Sequence, residues 1–433
     1  MSLFFKWKKR PQSDTDELAV KRTEISSGGD AVEGLYGDDA PAPINKRYKR
    51  AAVITGITKY VVLTVFFLFF MSMTFVYSSQ ITVENFRYII KDMNLKIPTG
   101  KEEYGDIYYV ADMEQSYDIY RDDFVCVGRG ALTVIDMTGK QVQSTALKYV
   151  KPRLITSGKY LLVYDLSNTQ YSIFNTFSLL YSGTLDYPIS DADMNDEGYY
   201  LLVSRDAEYK SNVTVYNKDN EPVYVYQTND RYIFDARLYN DGSFALYTSK
   251  AKNGDSYSEI IKGNIKEKEV RTIYEREGSV ILSAINSGAD TTSVLCSDRI
   301  LFFSADNLTG EYSFFGRVCR RFDAGDGNTA VVLSSEGAGA DSVLVVFDTA
   351  GKVIYEGDAG SDISGLYCKN KNVYSIYTGT VQRFEINTGK TYYYDSGYET
   401  KGIVFVDDEI VLLATATSAY PVSVYDDFKE LTH

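Results

Sequence analysis

The chain reads as an all-β protein, a β-propeller of eight four-stranded blades with seven as the alternative count, preceded by one transmembrane helix and a disordered N-terminal tail. Three observations predict this. Composition favours strands, with 38 Tyr and 22 Phe beside only 8 Pro, because aromatic and β-branched side chains suit a pleated, half-buried surface. An uncharged run extends from Tyr60 to Tyr77, and a strand-and-turn unit recurs about every forty residues beyond it.

Residues 1–50 form the expected tail. They mix Gly, Ser, Asp and Pro with few apolar side chains, and such a segment buries too little surface to offset its ordering entropy. The opening MSLFFKWKKR sets Phe4, Phe5 and Trp7 among basic residues. This composition suits either an anionic membrane surface or a solvated start that helps set topology. Ser13 and Thr15, set in QSDTDE, carry hydroxyls able to accept phosphate, as do many others in the chain.

Residues 51–78 are the expected span, with the lipid bilayer engaged through residues 53–77. Tyr60–Tyr77 alone covers roughly 27 Å as a helix. Lys46, Arg47, Lys49 and Arg50 stand just before it, whereas only Arg87, Lys91 and Lys96 follow within twenty residues. The positive-inside rule then puts the N-terminus in the cytoplasm and the C-terminal domain outside the plasma membrane. Fifty residues ahead of the apolar run are too many for a cleaved signal peptide. Residues 79–104 read as a stalk. Its Phe86, Ile89, Ile90 and Met93 are spaced as on an amphipathic helix over Thr82–Leu95, stopped before Pro98.

Residues 105–428 are the expected propeller. Ile189-Ser-Asp-Ala-Asp-Met-Asn-Asp-Glu-Gly198 aligns with Ile233-Phe-Asp-Ala-Arg-Leu-Tyr-Asn-Asp-Gly242, and Ile281-Leu-Ser-Ala284 is a weaker third copy. Apolar runs begin near Phe124, Lys159, Tyr199, Ser243, Thr291, Thr329, Asn372 and Ile410, at intervals of 35 to 48 residues. Each interval has room for four short strands, the period of a propeller blade. The last unit is one strand short, and Gly105–Asp112 is placed to supply it and close the ring, with Ile107, Tyr109 and Ala111 on its inner face.

Asp136-Met-Thr-Gly-Lys140, Asp348-Thr-Ala-Gly-Lys352 and Glu385-Ile-Asn-Thr-Gly-Lys390 each follow a strand. This turn resembles the repeat of quinoprotein-like (PQQ-like, WD40-like) propellers, although the tryptophan that ends that repeat is missing, the only Trp being Trp7. The layout as a whole resembles a family of single-pass envelope proteins of Gram-positive bacteria, and that resemblance implies no activity.

Residues 60–433 carry 34 Lys/Arg against 51 Asp/Glu, so the domain lacks the basic footprint that nucleic acid requires. The one histidine is His433, and Cys126, Cys296, Cys319 and Cys368 show no C-x-x-C spacing. A zinc site, a haem attachment and a His-dependent triad are therefore unsupported. The cysteines read as small buried hydrophobes, with one or two disulfides as the alternative. Asp191, Asp193 and Asn195 imitate the start of a calcium loop, but Asp196 stands where glycine is needed and Arg237 replaces the second acid in the aligned copy. A repeated structural motif explains them better than a metal. The pairs Asp122-Asp123, Asp407-Asp408 and Asp426-Asp427 read as solvated turns. Tyr224, Tyr226, Tyr232 and Tyr392–Tyr394 read as packing residues, with sugar stacking as the alternative. The sequons at Asn212 and Asn307 are at chance level.

No catalytic, cofactor-binding or metal residue is assigned, and no cofactor is expected. The reading expects a membrane-anchored extracytoplasmic protein that is not an enzyme, acting as an interaction scaffold or sensor of the cell envelope with an envelope protein as partner. The alternatives are a glycan or cell-wall polymer binding module and, less favoured, a quinone-cofactor redox enzyme.

Overall fold

The computed structural model describes residues 46–76 and 104–431, except 176–177, 268, 289, 336, 338–341 and 361. The expected stalk helix and most of the expected disordered tail lie outside the described residues. Two compact units divide the chain after Ser78.

In the first unit, one α-helix runs from Lys46 to Val76. It starts inside the segment assigned to the tail, because Lys46–Arg50 (KRYKR) has no helix breaker and continues the helical backbone. Its stretch Val53–Ser72 is long and apolar enough to cross a membrane. Thr58 and Thr64 return their hydroxyls to the carbonyls of Ile54 and Tyr60 at 2.9 and 2.8 Å. That internal satisfaction is what a hydroxyl needs where water is absent.

The second unit is a propeller of eight blades. In chain order they occupy residues 116–146, 152–184, 189–228, 231–277, 281–313, 318–358, 365–395 and 402–423, the last completed by Ile107–Tyr108. Each blade is an antiparallel meander, and we call its strands a to d from the channel outward. Blade 3 is typical, with a at Ile189–Met194, b at Tyr200–Ser204, c at Ser211–Tyr216 and d at Pro222–Thr228. The eight apolar run starts read from sequence all fall within one residue of the start of a b strand.

Blades bury both faces, so strand b is a continuous apolar run rather than an alternating one. Tyr200 and Leu202 pack toward blade 2, while Leu201 and Val203 pack toward blade 4. Eight apolar clusters result, one at each blade interface.

Ring closure follows the expected strand. Ile107 pairs with Ala419 and Tyr108 with Ser418, giving blade 8 its strand d from the N-terminal side. Ile107 is fully buried, and the Tyr109 hydroxyl reaches the carbonyls of Thr415 and Ser418 at 2.9 and 2.8 Å. Ala111 departs from expectation: the paired segment ends before it, and it is exposed. A second clasp lies past the expected end at residue 428. Lys429 and Glu430 pair with Tyr393 and Tyr392 as a fifth strand on blade 7. Beneath it, buried Arg383 lies 4.2 Å from the Tyr392 ring and 5.7 Å from that of Phe428.

Candidate functional site

Strand a of each blade has no sheet partner on its channel side, so its inward N–H and C=O groups need other acceptors and donors. At four of the junctions, side chains from the preceding blade supply partners to strand a. In blade 3, Asp191 and Asp193 each accept through Oδ2 at 2.8 Å, from the N–H groups of Ala236 and Leu238 in blade 4. Asp235 repeats this toward blade 5, accepting from Ala284 N–H at 2.9 Å and the Ser283 hydroxyl at 3.1 Å. Asp323 accepts from Cys368 N–H at 2.7 Å, between blades 6 and 7. Asp118 accepts from the Thr156 hydroxyl, between blades 1 and 2. Cations serve the carbonyls: Arg237 donates to Ala284 O at 2.6 Å and pairs with Asp235 at 2.9 Å, and Arg321 donates to Ser364 O at 2.9 Å.

Burial disfavours the charged form of these carboxylates. It pushes Asp191 up to about 8, with the nearby Asp235 charge adding to it. Burial likewise raises Asp193 and Asp323 to about 6 and raises Asp118 and Asp235. The repeated Asp-Ala motif is therefore a blade-to-blade stitch.

The resemblance to a calcium loop dissolves in the same geometry. Asp191 and Asp193 lie on strand a, but Asn195 sits in the a–b turn, accepting from the N–H groups of Glu197 and Tyr199 at 3.2 and 3.0 Å. Asp196 accepts from Ser157 and Asn240, each at 2.8 Å. Among the described residues no group of three or more His, Cys, Asp or Glu is disposed to hold a metal ion. The quinoprotein-like turns are c–d turns, in which Asp136 and Asp348 accept from the N–H groups two and four residues on, at 2.9 to 3.0 Å. Gly139 and Gly351 take φ of 87° and 82° there, a conformation that favours glycine.

Acidic pairs behave less uniformly than expected. Asp123 is buried, correcting the solvated reading, because strand b of blade 1 starts at that residue with every position inside. Asp407 accepts from Glu409 and Ile410 N–H at 2.8 and 2.7 Å. All four cysteines are free thiols, Cys126, Cys296 and Cys368 buried and Cys319 partly so, and burial pushes each up to about 12. Tyr224, Tyr226, Tyr392 and Tyr394 pack against blade cores. Tyr232 instead stays 39% exposed, with Arg205 and Lys210 over its ring at 5.1 and 5.2 Å.

Two cavities lie among the described residues of the propeller. One of about 610 Å³ occupies the channel and is lined by Tyr117, Asp118, Asp323, Asp326, Tyr367 and Lys369 among others. The other, about 390 Å³, opens at the a–b and c–d turn end between blades 4 and 5, beside Tyr239, Asp241, Lys262 and Asp290. Sequence reasoning did not find Arg205, Lys210, Phe234 or Leu282, which gather at the opposite end of the channel. The one available signal was the position after the repeated Ile, which holds Ser190, Phe234 and Leu282 in the three aligned copies.

Fold and site together define a β-propeller whose inner strands are sewn blade to blade by carboxylates. Residues 101–419 match a family of unknown function, DUF5711, and the chain belongs to that family. No curated protein matches its sequence. Among solved structures it is similar to Sqt1 of Saccharomyces cerevisiae, at 11% identity over 75% of this chain and 99% of that one, with a TM-score of 0.54. A eukaryotic initiation factor is similar at 11% identity, covering 76% and 90%, with a TM-score of 0.50. BamB of Moraxella catarrhalis gives 10% identity, 73% and 98%, and 0.49. At such identities the likeness concerns the fold alone.

Proposed function

We propose that this protein is a membrane-anchored, extracytoplasmic interaction scaffold or sensor of the cell envelope that holds a protein partner on its propeller and catalyses no reaction. The observation that carries the reading is the use made of the inner-strand carboxylates. Asp191, Asp193, Asp235 and Asp323 all accept backbone N–H groups of the next blade, so the polar groups of the ring serve rigidity. A rigid ring offers preorganised surfaces, which lowers the ordering cost of association. The helix Lys46–Val76 supplies the anchor, and the basic cluster at its start supports a cytoplasmic N-terminus. The envelope assignment and the kinship to quinoprotein-like repeats rest on the c–d turns and the layout of the chain.

The test is chemical cross-linking in intact cells followed by purification of the full chain. The reading predicts one or a few envelope proteins linked to it at defined propeller residues. A chain that cross-links only to lipid-embedded neighbours through its helix, or that turns over a substrate after purification to homogeneity, would remove the reading.

A further inference from the structure

Four successive inner strands depart from regular pairing at one register position. Between Ile189 and Asp191, Ile233 and Asp235, Ile281 and Ser283, and Cys319 and Arg321, one residue is skipped by the partner strand. A β-bulge of this kind re-aims the extra side chain. The extra residues are Ser190, Phe234, Leu282 and Arg320, one from each of blades 3 to 6. All lie near the start of strand a, at the end of the channel where strand d of one blade leads to strand a of the next.

Phe234 and Leu282 are 42% and 48% exposed, an unusual state for large apolar side chains on the innermost strands of a packed ring. They hold equivalent positions on adjacent inner strands, where Asp235, next to Phe234, accepts a hydrogen bond at 3.1 Å from Ser283, next to Leu282. Tyr232 stands two residues before Phe234 and carries Arg205 and Lys210 over its ring. Those two cations come from the b–c loop of blade 3, which lies at the same end because strands alternate in direction.

Charge decides what fits. Arg205 and Lys210 have no carboxylate within ion-pair distance among the described residues, although residues 60–433 hold 51 Asp/Glu against 34 Lys/Arg. Glu208 of the same loop is exposed and pairs with neither cation, and the other acids close by in sequence are committed elsewhere. Asp230 pairs with Arg231 at 3.0 Å, Glu259 pairs with Lys250 and Arg231, and Asp206 accepts from Glu208 and Tyr209 N–H at 2.7 and 2.6 Å. Arg320 spends one nitrogen on the Ser334 hydroxyl at 2.7 Å. The arc therefore offers two apolar side chains flanked by unpaired cations on an otherwise acidic domain.

We propose that this arc docks an acidic segment of a partner protein whose apolar side chains alternate with carboxylates. It rests on the scaffold reading and names the face and the partner chemistry. Apolar anchors fill the space over Phe234 and Leu282, and carboxylates reach Arg205 and Lys210, an arrangement that gives orientation as well as affinity.

The experiment measures binding of a fluorescein-labelled synthetic peptide of alternating Glu and Leu to the full chain in nanodiscs of zwitterionic lipid, with empty nanodiscs subtracted. Two further peptides replace every Glu by Lys or every Leu by Ser. The proposal expects the Glu-Leu peptide to bind at least tenfold more tightly than either. It expects the double variants Arg205→Glu with Lys210→Glu and Phe234→Ser with Leu282→Ser each to lose at least tenfold at a temperature below the melting of every variant, the first with unchanged melting because both cations are exposed and the second with lowered melting because Phe234 and Leu282 are more than half buried. Absence of Glu-Leu binding, equal binding of the Lys peptide, or undiminished binding by both variants overturns it. Retention on purified cell-wall polymer that is lost in the same variants would assign the arc to a glycan and also overturn it. If cellular cross-linking persists in the Phe234→Ser, Leu282→Ser variant, this site is wrong and the scaffold reading stands; if the unaltered chain captures no partner, the scaffold reading itself falls.

Discussion

At the residue scale, the inner-strand aspartates set an unusual pH dependence. Asp191 is raised to about 8 and Asp193 and Asp323 to about 6 by burial, against roughly 3.9 in an unfolded chain. The folded protein thus keeps protons that the unfolded chain has released. The stabilisation is complete below pH of about 3.9 and is lost as pH rises through about 6 and then 8. Asp230 and Asp241 are shifted the other way, held below the usual carboxylate range by hydrogen bonds from Arg231 and Ser243, so their contribution is intact from pH 5 to 8.5 and is lost only on stronger acidification. Melting temperature should therefore fall between pH 5 and pH 8.5. Asp191→Asn keeps an oxygen for Ala236 N–H and removes the charge, so at pH 8.5 it should melt higher than the unaltered protein, with a flatter slope. A thermal scan at both pH values checks this, and an unaltered slope would show that Asp191 is ionised throughout. Asp235→Ala goes the other way. It strands Arg237 and the Ala284 N–H, at a cost of about 3–5 kcal/mol. Chemical denaturation measures that loss.

At the element scale, Ile107–Tyr108 closes blade 8 from the N-terminal side and Lys429–Glu430 clasps blade 7 from the C-terminal side. Ile107 is fully buried between blades 8 and 1, so Ile107→Ala should cost about 2–5 kcal/mol. Tyr109→Phe removes the hydroxyl that serves the carbonyls of Thr415 and Ser418, and should cost about 1–2 kcal/mol. Amide hydrogen exchange locates the damage: Ala419 and its neighbours in strand c of blade 8 should lose protection first, while blade 4 keeps its own. Uniform loss across all blades would mean that the ring opens only as a whole.

Much of this level was legible in the sequence, for a physical reason. A b strand such as Tyr200–Ser204 is buried on both faces, so each blade leaves an unbroken apolar run, and turns such as Asp136–Lys140 keep their own spacing. The short strand at Lys429–Glu430 was not legible, because it is two exposed polar residues held by backbone pairing to Tyr392 and Tyr393. The candidate site was legible only as a motif. Asp191 and Asp235 visibly repeat, but what they bond is the backbone of Ala236 and Ala284, 45 and 49 residues further on. Bulges at Phe234 and Leu282 left only the position after the repeated Ile as a trace, since one skipped residue leaves the apolar pattern of the neighbouring strands unchanged.

For the whole molecule, the proposal is that an anchored propeller works outside the cell, with its ring rigid and one arc of its channel mouth open to a partner. Side of the membrane is the direct question. Cysteines placed singly at Ser13 and at Lys218 report it, with a membrane-impermeant thiol reagent on intact cells and the four native cysteines as background. Lys218 is an exposed residue of the c–d turn of blade 3. Labelling of Lys218→Cys in intact cells, with Ser13→Cys labelled only after lysis, is the result this account predicts; labelling of Ser13→Cys in intact cells, with Lys218→Cys protected until lysis, would contradict it.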